Sequence, residues 1–468
     1  MSQDSNTSKQ SLKRDLKARH LTMISIGGVI GAGYFLGSGA AIQMAGPSVI
    51  FSYLIGGFIT ILVMALLAEM AVAMPVAGSF QVYATKSLGP MAGFVTGWTY
   101  WFAFLIGPAS ETIAAGTFLH MWFPAVPIWL FSLVVAVLMT AVNLIGTLIF
   151  GEVEFWLSLI KVVALLVFIV WGCVSVFGLH MANVTFSNLY THEGFAPMGF
   201  TGVLAAMIIV LFSYGGTEAI GTAAEESQNP ARDIPKALSG TVFRIVVLFV
   251  VSIAVLLMVL PWNQAGISSS PYVAAVTKLG GPVAGNIMNF VVLTAALSCI
   301  DSGVFATSRM LYSLSKDNYF PKVFSKLHPK SKTPVNAILA CCVVLFLGAL
   351  VNFYMSSAYF WLASVSGFGF IFAWLMIVLS QPGMRKKFEK ENPSALKWKV
   401  PFYPYTQYLA AVLIIGVLIG QFFVPGGWKT MVAGIVWLLF ASLYYLFVAK
   451  KSVEKANNYD QSQKDVNV

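Results

Sequence analysis

Ile26-Gly27-Gly28-Val29-Ile30-Gly31-Ala32-Gly33-Tyr34-Phe35-Leu36-Gly37-Ser38-Gly39 puts six glycines into 14 residues. Glycine lets two membrane helices approach closely. It also lets a chain leave the helix where its backbone groups face a cavity instead of lipid. The run lies in an apolar stretch, 22–44, long enough to cross a bilayer core of about 30 Å, which takes about 20 helical residues. A second interruption, Phe212-Ser213-Tyr214-Gly215-Gly216-Thr217-Glu218, sets adjacent glycines and an acid inside another such stretch, 199–224. Either run alone could be close packing. As a pair at corresponding places of two halves, they point to a transporter site built at the interface of an inverted repeat.

Outward from these runs the chain stays apolar. Of 468 residues, 58% are hydrophobic and 10% charged, with a mean hydropathy of +0.80; soluble proteins carry about 25% charged residues. An ordinary cytosolic enzyme, a disordered chain and a nucleic-acid-binding domain are excluded. Twelve apolar stretches read as crossings: 22–44, 48–73, 92–119, 126–147, 154–178, 199–224, 240–260, 284–314, 335–353, 358–380, 402–423 and 429–449. The predicted fold class is therefore an all-α integral membrane protein with 12 transmembrane helices, of which 1 and 6 are interrupted. The two breaks are five helices apart. This divides a transporter core, 22–380, into five-helix halves at about 22–178 and 199–380, with a loop and helices 11 and 12 at 381–449. Residue-level similarity between the halves is weak, so the repeat rests on topology and the paired breaks. The tails, 1–21 and 450–468, are polar, and their ends are expected to be disordered.

Basic residues give an orientation. Of the 28 Lys and Arg, 25 fall on one side of these crossings, two (Lys278 and Lys429) on the other, and Lys161 inside a crossing. The positive-inside rule then places both termini in the cytoplasm. Arg385-Lys386-Lys387 could also meet anionic lipid. No apolar segment precedes the first crossing, so no cleavable signal is expected. The four cysteines (Cys173, Cys299, Cys341 and Cys342) lie in apolar runs without metal-type spacing, and neither a disulfide framework nor a metal site is expected.

Leu16-Lys17-Ala18-Arg19-His20 leading into Ile30-Gly31-Ala32-Gly33 is the first part of a wider resemblance. It continues through Ala45-Gly46-Pro47, Ala68-Glu69-Met70, Pro75 with Gly78-Ser79, and Phe94 with Gly97-Trp98. Gly151-Glu152 with Glu154-Phe155-Trp156 and Lys161, Ser213-Tyr214-Gly215-Gly216-Thr217-Glu218, Asn229-Pro230 with Ile234-Pro235, and Ser308-Arg309-Met310-Leu311-Tyr312 extend it. Over roughly residues 12–450 the chain resembles the amino acid permeases of the amino acid-polyamine-organocation (APC) superfamily, within it the bacterial amino acid transporter (AAT) family. The resemblance implies a LeuT-type 5+5 inverted repeat plus two C-terminal helices, and does not name the substrate.

Ionisable groups in hydrocarbon are costly enough to be functional candidates by default. They are Glu69, Glu111, Lys161, Glu218 and Asp301. An amino acid brings a carboxylate and an ammonium into the membrane, and both must be met without water. By the resemblance, amides around Gly31, Ala32 and Gly33, beside Ile30, meet the carboxylate at a half-helix N-terminus, whose dipole suits an anion. Carbonyls freed near Ser213, Gly215 and Gly216 accept from the ammonium, and the substrate side chain rests against Tyr34, Tyr214 and third-helix residues.

Lys161 lies about 10 Å into helix 5, at 1.5 Å per residue. Its stem could snorkel to the headgroups. In proton-coupled relatives a lysine in this region instead replaces a sodium ion, because desolvation loosens the hold of a lysine on its proton. Glu111 follows Pro108 near the middle of helix 3; it is a candidate for ammonium binding or proton transfer, or a structural hydrogen bond. Glu218, one turn past Tyr214, is expected to hold the break in shape. Glu69, near the cytoplasmic end of helix 2, is expected to gate or to pack. Asp301 departs from the family pattern. It could pair with Lys161 or, with Ser298 and Ser302, restore a cation site. The run Glu225–Pro235 reads as an ordered cytoplasmic loop with gate-type ion pairs or as a plain solvated loop.

The five histidines (His20, His120, His180, His192 and His328) form no catalytic cluster, so an enzyme is not expected. The function expected is import of neutral zwitterionic amino acids across the plasma membrane, in a bacterium the inner membrane, by proton symport and alternating access. A gamma-aminobutyrate or cationic amino acid permease, a sodium symporter and a transport-dead sensor remain alternatives. Partners expected are the amino acid, a proton and membrane lipids, with no cofactor, no nucleic acid and a monomeric state.

Overall fold

In a computed structural model, the protein is described for residues 29–450, apart from 77, 146, 182, 219–220, 222–239, 267–269, 330 and 332. The two termini and the loop Glu225–Pro235 lie outside the described residues.

Without water to satisfy its polar backbone, a chain in hydrocarbon must close its hydrogen bonds within itself. Accordingly, the described residues are helical and contain no β-strand. In chain order the helices are α1 (Ala32–Phe35), α2 (Gly37–Ala45), α3 (Val49–Ala73), α4 (Ser79–Leu88), α5 (Pro90–His120), α6 (Ile128–Ile145) and α7 (Thr147–Cys173). They continue with α8 (Gly199–Tyr214), α9 (Thr241–Val259), α10 (Pro271–Lys316), α11 (Val335–Tyr354), α12 (Ala358–Glu391), α13 (Tyr405–Gly420) and α14 (Gly427–Tyr444).

Among the described residues, nine helical segments are long and apolar enough to cross a membrane. Twelve crossings were expected, and among the described residues two of these stretches run together and two fall short of crossing length. Ala32–Ala73 runs through two of the twelve stretches as one segment, and Ile128–Leu144 and Gly199–Tyr214 are apolar but shorter. The shortness of α8 is the interruption itself. The helix stops at Tyr214, Gly215 is extended (φ −59°, ψ 145°), and Gly216 takes φ 102°, a left-handed backbone that glycine alone adopts without strain.

The first interruption falls at Ile30 and Gly31. Gly31 is extended (φ −127°, ψ −162°), and the helix starts again at Ala32. Leu36 keeps helical angles between α1 and α2, so the chain after the break is close to one continuous helix. Around the breaks, α5 packs against α10 and α12, and α2 packs against α8. Large apolar side chains such as Val170, Phe200, Leu439 and Phe447 face outward. That is the surface of a chain whose solvent is hydrocarbon.

Candidate functional site

Breaking a helix frees backbone groups that must find partners when buried. At the first break five backbone groups between Ile30 and Gly33 are met by side chains from other helices. Glu111, from α5, accepts from Ala32 N at 2.8 Å with Oε2 and from Gly33 N at 3.1 Å with Oε1. The Ile30 carbonyl accepts from Lys161 Nζ at 2.9 Å, the Ala32 carbonyl from Tyr359 Oη at 2.9 Å, and the Gly33 carbonyl from Ser213 Oγ at 2.8 Å. The last bond joins the two broken helices directly.

The second break carries its own acid. Glu218 Oε1 accepts from Gly216 N at 3.1 Å, and Oε2 accepts from Trp374 Nε1 at 2.9 Å. Glu69 is held elsewhere. It accepts from Gln381 Nε2 at 2.8 Å and from Val400 N at 2.7 Å, and stands 3.4 Å from Arg385 Nη1. It thereby ties the end of α3 to the end of α12 and to the segment before α13.

A small cavity of about 30 Å³ lies between the breaks, bordered by Gly33, Phe104, Glu111, Phe212, Gly215 and Phe370. That is the share of one water molecule, far below the size of an amino acid. The aromatic rings close it, with Phe104 and Phe370 centroids 4.7 Å apart and Phe212 and Phe370 6.0 Å apart. Gly33 is required here, because a Cβ at this position would stand 2.8 Å from Phe212 Cε1.

The geometry thus gathers Ile30, Gly31, Ala32, Gly33, Glu111, Lys161, Ser213 and Gly215 around one break and cavity. Tyr34 and Tyr214 differ from expectation. Tyr34 Oη donates to the Phe249 carbonyl at 3.0 Å and its ring stacks on Phe249; Tyr214 Oη donates to the Tyr53 carbonyl at 3.0 Å. Both rings turn away from the cavity, because successive residues of one helix point about 100° apart, so Gly33 and Phe212 face it while Tyr34 and Tyr214 on the same helices do not. Phe212, Phe104 and Phe370 border it instead.

Lys161 does not reach outward to headgroups. It is fully buried and also donates to Ser298 Oγ at 2.7 Å. Asp301 points to Asn143, whose Nδ2 donates to Oδ1 at 2.8 Å, and not to Lys161. Sequence reasoning had passed over Glu154 as a site residue. Its Oε1 accepts from Ser158 Oγ at 2.9 Å and from Ser298 Oγ. The spacing Glu154, Ser158, Lys161 is i, i+4, i+7, one helix face, and that polar stripe was the signal available. Among the described residues no group of three or more His, Cys, Asp or Glu is placed to hold a metal ion.

With nine membrane-length apolar helical segments among its described residues, the chain is a multi-pass membrane protein. The amino acid permease family model matches residues 20–450, and the chain belongs to that family. It is similar to the gamma-aminobutyric acid permease of Bacillus subtilis (strain 168), 42% identical over 467 residues that cover 98% of this chain and 99% of the relative. The amino-acid permease RocC of the same organism is 40% identical, over 95% of this chain and 96% of its own length. The aromatic amino acid transport protein AroP of Escherichia coli (strain K12) is 38% identical, over 94% and 96%. The family is one of transporters, so amino acid transport is the activity that membership implies.

Proposed function

We propose that this chain imports neutral zwitterionic amino acids across the plasma membrane by proton symport, working as a monomer by alternating access. In this reading twelve helices cross the membrane with both termini in the cytoplasm. Residues 22–380 form the 5+5 inverted repeat, and 381–449 add the last two helices. The observation that carries the proposal is the carboxylate of Glu111 seated across the amides of Ala32 and Gly33 at the edge of the cavity. Amides that hold a carboxylate from the protein suit a carboxylate from a substrate.

The substrate carboxylate then displaces Glu111 from these amides, and the ammonium meets carbonyls freed around Ser213, Gly215 and Gly216. Phe104, Phe212 and Phe370 part to admit the side chain. Lys161 supplies the coupling. Its ammonium holds the Ile30 carbonyl just before the break, and a charged donor makes the stronger hydrogen bond. Release of its proton weakens that hold and frees the helix to move. Glu69 and Glu218 act as gate and brace.

The test is uptake of labelled amino acids into proteoliposomes under an inward proton gradient, an inward sodium gradient, or neither. Expected is proton-driven accumulation that Lys161→Ala abolishes. Sodium-driven uptake would overturn proton coupling, and saturable binding without uptake would make the chain a sensor. The 42% identical relative is a gamma-aminobutyric acid permease, which favours a second reading, gamma-aminobutyrate, whose carboxylate suits the same amides. Competition of that compound against the neutral amino acids in the same assay separates the two.

A further inference from the structure

Three buried oxygens where α7 meets α10 have no hydrogen-bond partner among the described residues: Glu154 Oε2, Asp301 Oδ2 and Ser302 Oγ. Their residues are at most 1% exposed, and an unmet polar group at such depth is costly. They belong to one cluster. Ser298, Asp301 and Ser302 stand at i, i+3 and i+4, which is one face of α10. Glu154 is bound to that face through the Ser298 hydroxyl. The Ser302 hydroxyl faces the Glu154 carboxylate without reaching hydrogen-bond geometry, and Asp301 lies close enough to feel the charge of Glu154.

The other ionisable groups facing the cluster are few. Lys161, from α7, shares the Ser298 hydroxyl with Glu154. Glu111 faces Lys161 from α5, and Cys299 follows Ser298 on α10. Arg309 lies two turns beyond Asp301, its guanidinium 3.6 Å above the Phe305 ring. Two ionised carboxylates sharing a dry site repel each other. A single proton changes both, since a protonated carboxyl gains a donor and an O–H···O⁻ bond is among the strong ones.

We propose that Glu154 and Asp301 form a buried carboxyl pair that binds one proton between them, at a site separate from Lys161, with the Ser302 hydroxyl orienting it. Its transport role rests on the proton-symport reading, but its occupancy is measurable without transport. The experiment is infrared difference spectroscopy of the full chain in lipid nanodiscs at neutral pH, in water and in deuterium oxide. Expected is one carboxylic-acid C=O band that shifts on deuteration, persists in Glu111→Gln, and is lost in Glu154→Gln and in Asp301→Asn. A band surviving in either folded variant overturns the pair, and if one variant fails to fold the other decides. Thermal stabilisation by sodium but not potassium, abolished in Asp301→Asn, would make the occupant an alkali cation and also overturn it. A band without proton-driven uptake fails the symport reading and leaves the site standing; proton-driven uptake without the band does the reverse.

Discussion

Glu111→Gln tests whether the carboxylate at the first break is a substitute for substrate. In the wild type both oxygens accept from backbone amides, at 2.8 Å from Ala32 and 3.1 Å from Gly33. Gln keeps one acceptor and turns an NH2 group toward the other amide. One charge-assisted bond becomes neutral and one is lost. With neutral bonds worth about 1 kcal/mol and charged ones about twice that, the side chain lets go of the break more easily by about 3 kcal/mol. Because substrate displaces it in the proposed mechanism, the same energy appears as tighter binding, roughly 150-fold in Kd. Equilibrium binding of the labelled amino acid to purified protein reads this directly, with a thermal melt to show that the variant is folded. A Kd that is unchanged or higher refutes the displacement argument. A large rise would move Glu111 to the ammonium of the substrate.

The remaining predictions concern the packing of the site and its cytoplasmic tie. Gly33→Ala brings a Cβ to 2.8 Å from the Phe212 ring, an overpacking of about 1–3 kcal/mol. Uptake should fall several-fold and recover in part when Phe212→Ala is added; wild-type uptake in the single variant would sink the claim that the ring closes on Gly33. Glu69→Ala leaves Gln381 Nε2 and Val400 N without their acceptor and Arg385 with Glu389 alone. Removing one partner of a buried pair costs about 3–5 kcal/mol, so the melting temperature should drop clearly, and an unchanged melt would show that this acid does not tie α3 to α12. Tyr34→Phe removes a buried hydroxyl that donates outside the cavity. Substrate selectivity measured by competition should stay that of the wild type, and a changed ranking would return Tyr34 to the pocket.

The membrane character and both breaks were legible because they depend on composition and on glycine, which act locally. Glu111 and Lys161 stood out for the same reason, as charges in apolar runs. What a sequence does not carry is which face of a broken helix is turned to the cavity. The Tyr34 and Tyr214 rings, expected at the substrate, pack toward Phe249 and Tyr53 in this structure, while Phe212, two residues before Tyr214, borders the cavity. Asp301 was legible as an oddity, but its partner was not. Asn143 is 158 residues away in sequence, and only the packing of α6 against α10 brings them together. Glu154 was missed because it lies at the start of its crossing, where a charge usually marks a helix end. Only its shared stripe with Ser158 and Lys161 sets it inside.

The two breaks solve one problem in different ways, and the difference bears on mechanism. Each exposes amides in a medium without water, and at each a glutamate accepts from them. At the second break the acid is Glu218, two residues from the amide it meets and fastened by Trp374. To release Gly216 it would have to unmake its own turn, so it is a brace. At the first break the acid comes from 79 residues away in the chain, on α5, and borders the cavity. Its withdrawal breaks two hydrogen bonds and leaves the backbone of α1 intact. Of the two glutamates, Glu111 is therefore the one that the proposed mechanism exchanges for a carboxylate arriving from outside. The break it guards is also the one whose Ile30 carbonyl is held by Lys161. In the proposed mechanism, substrate arrival and proton release from Lys161 therefore both act on the backbone of the same residues, Ile30 to Gly33.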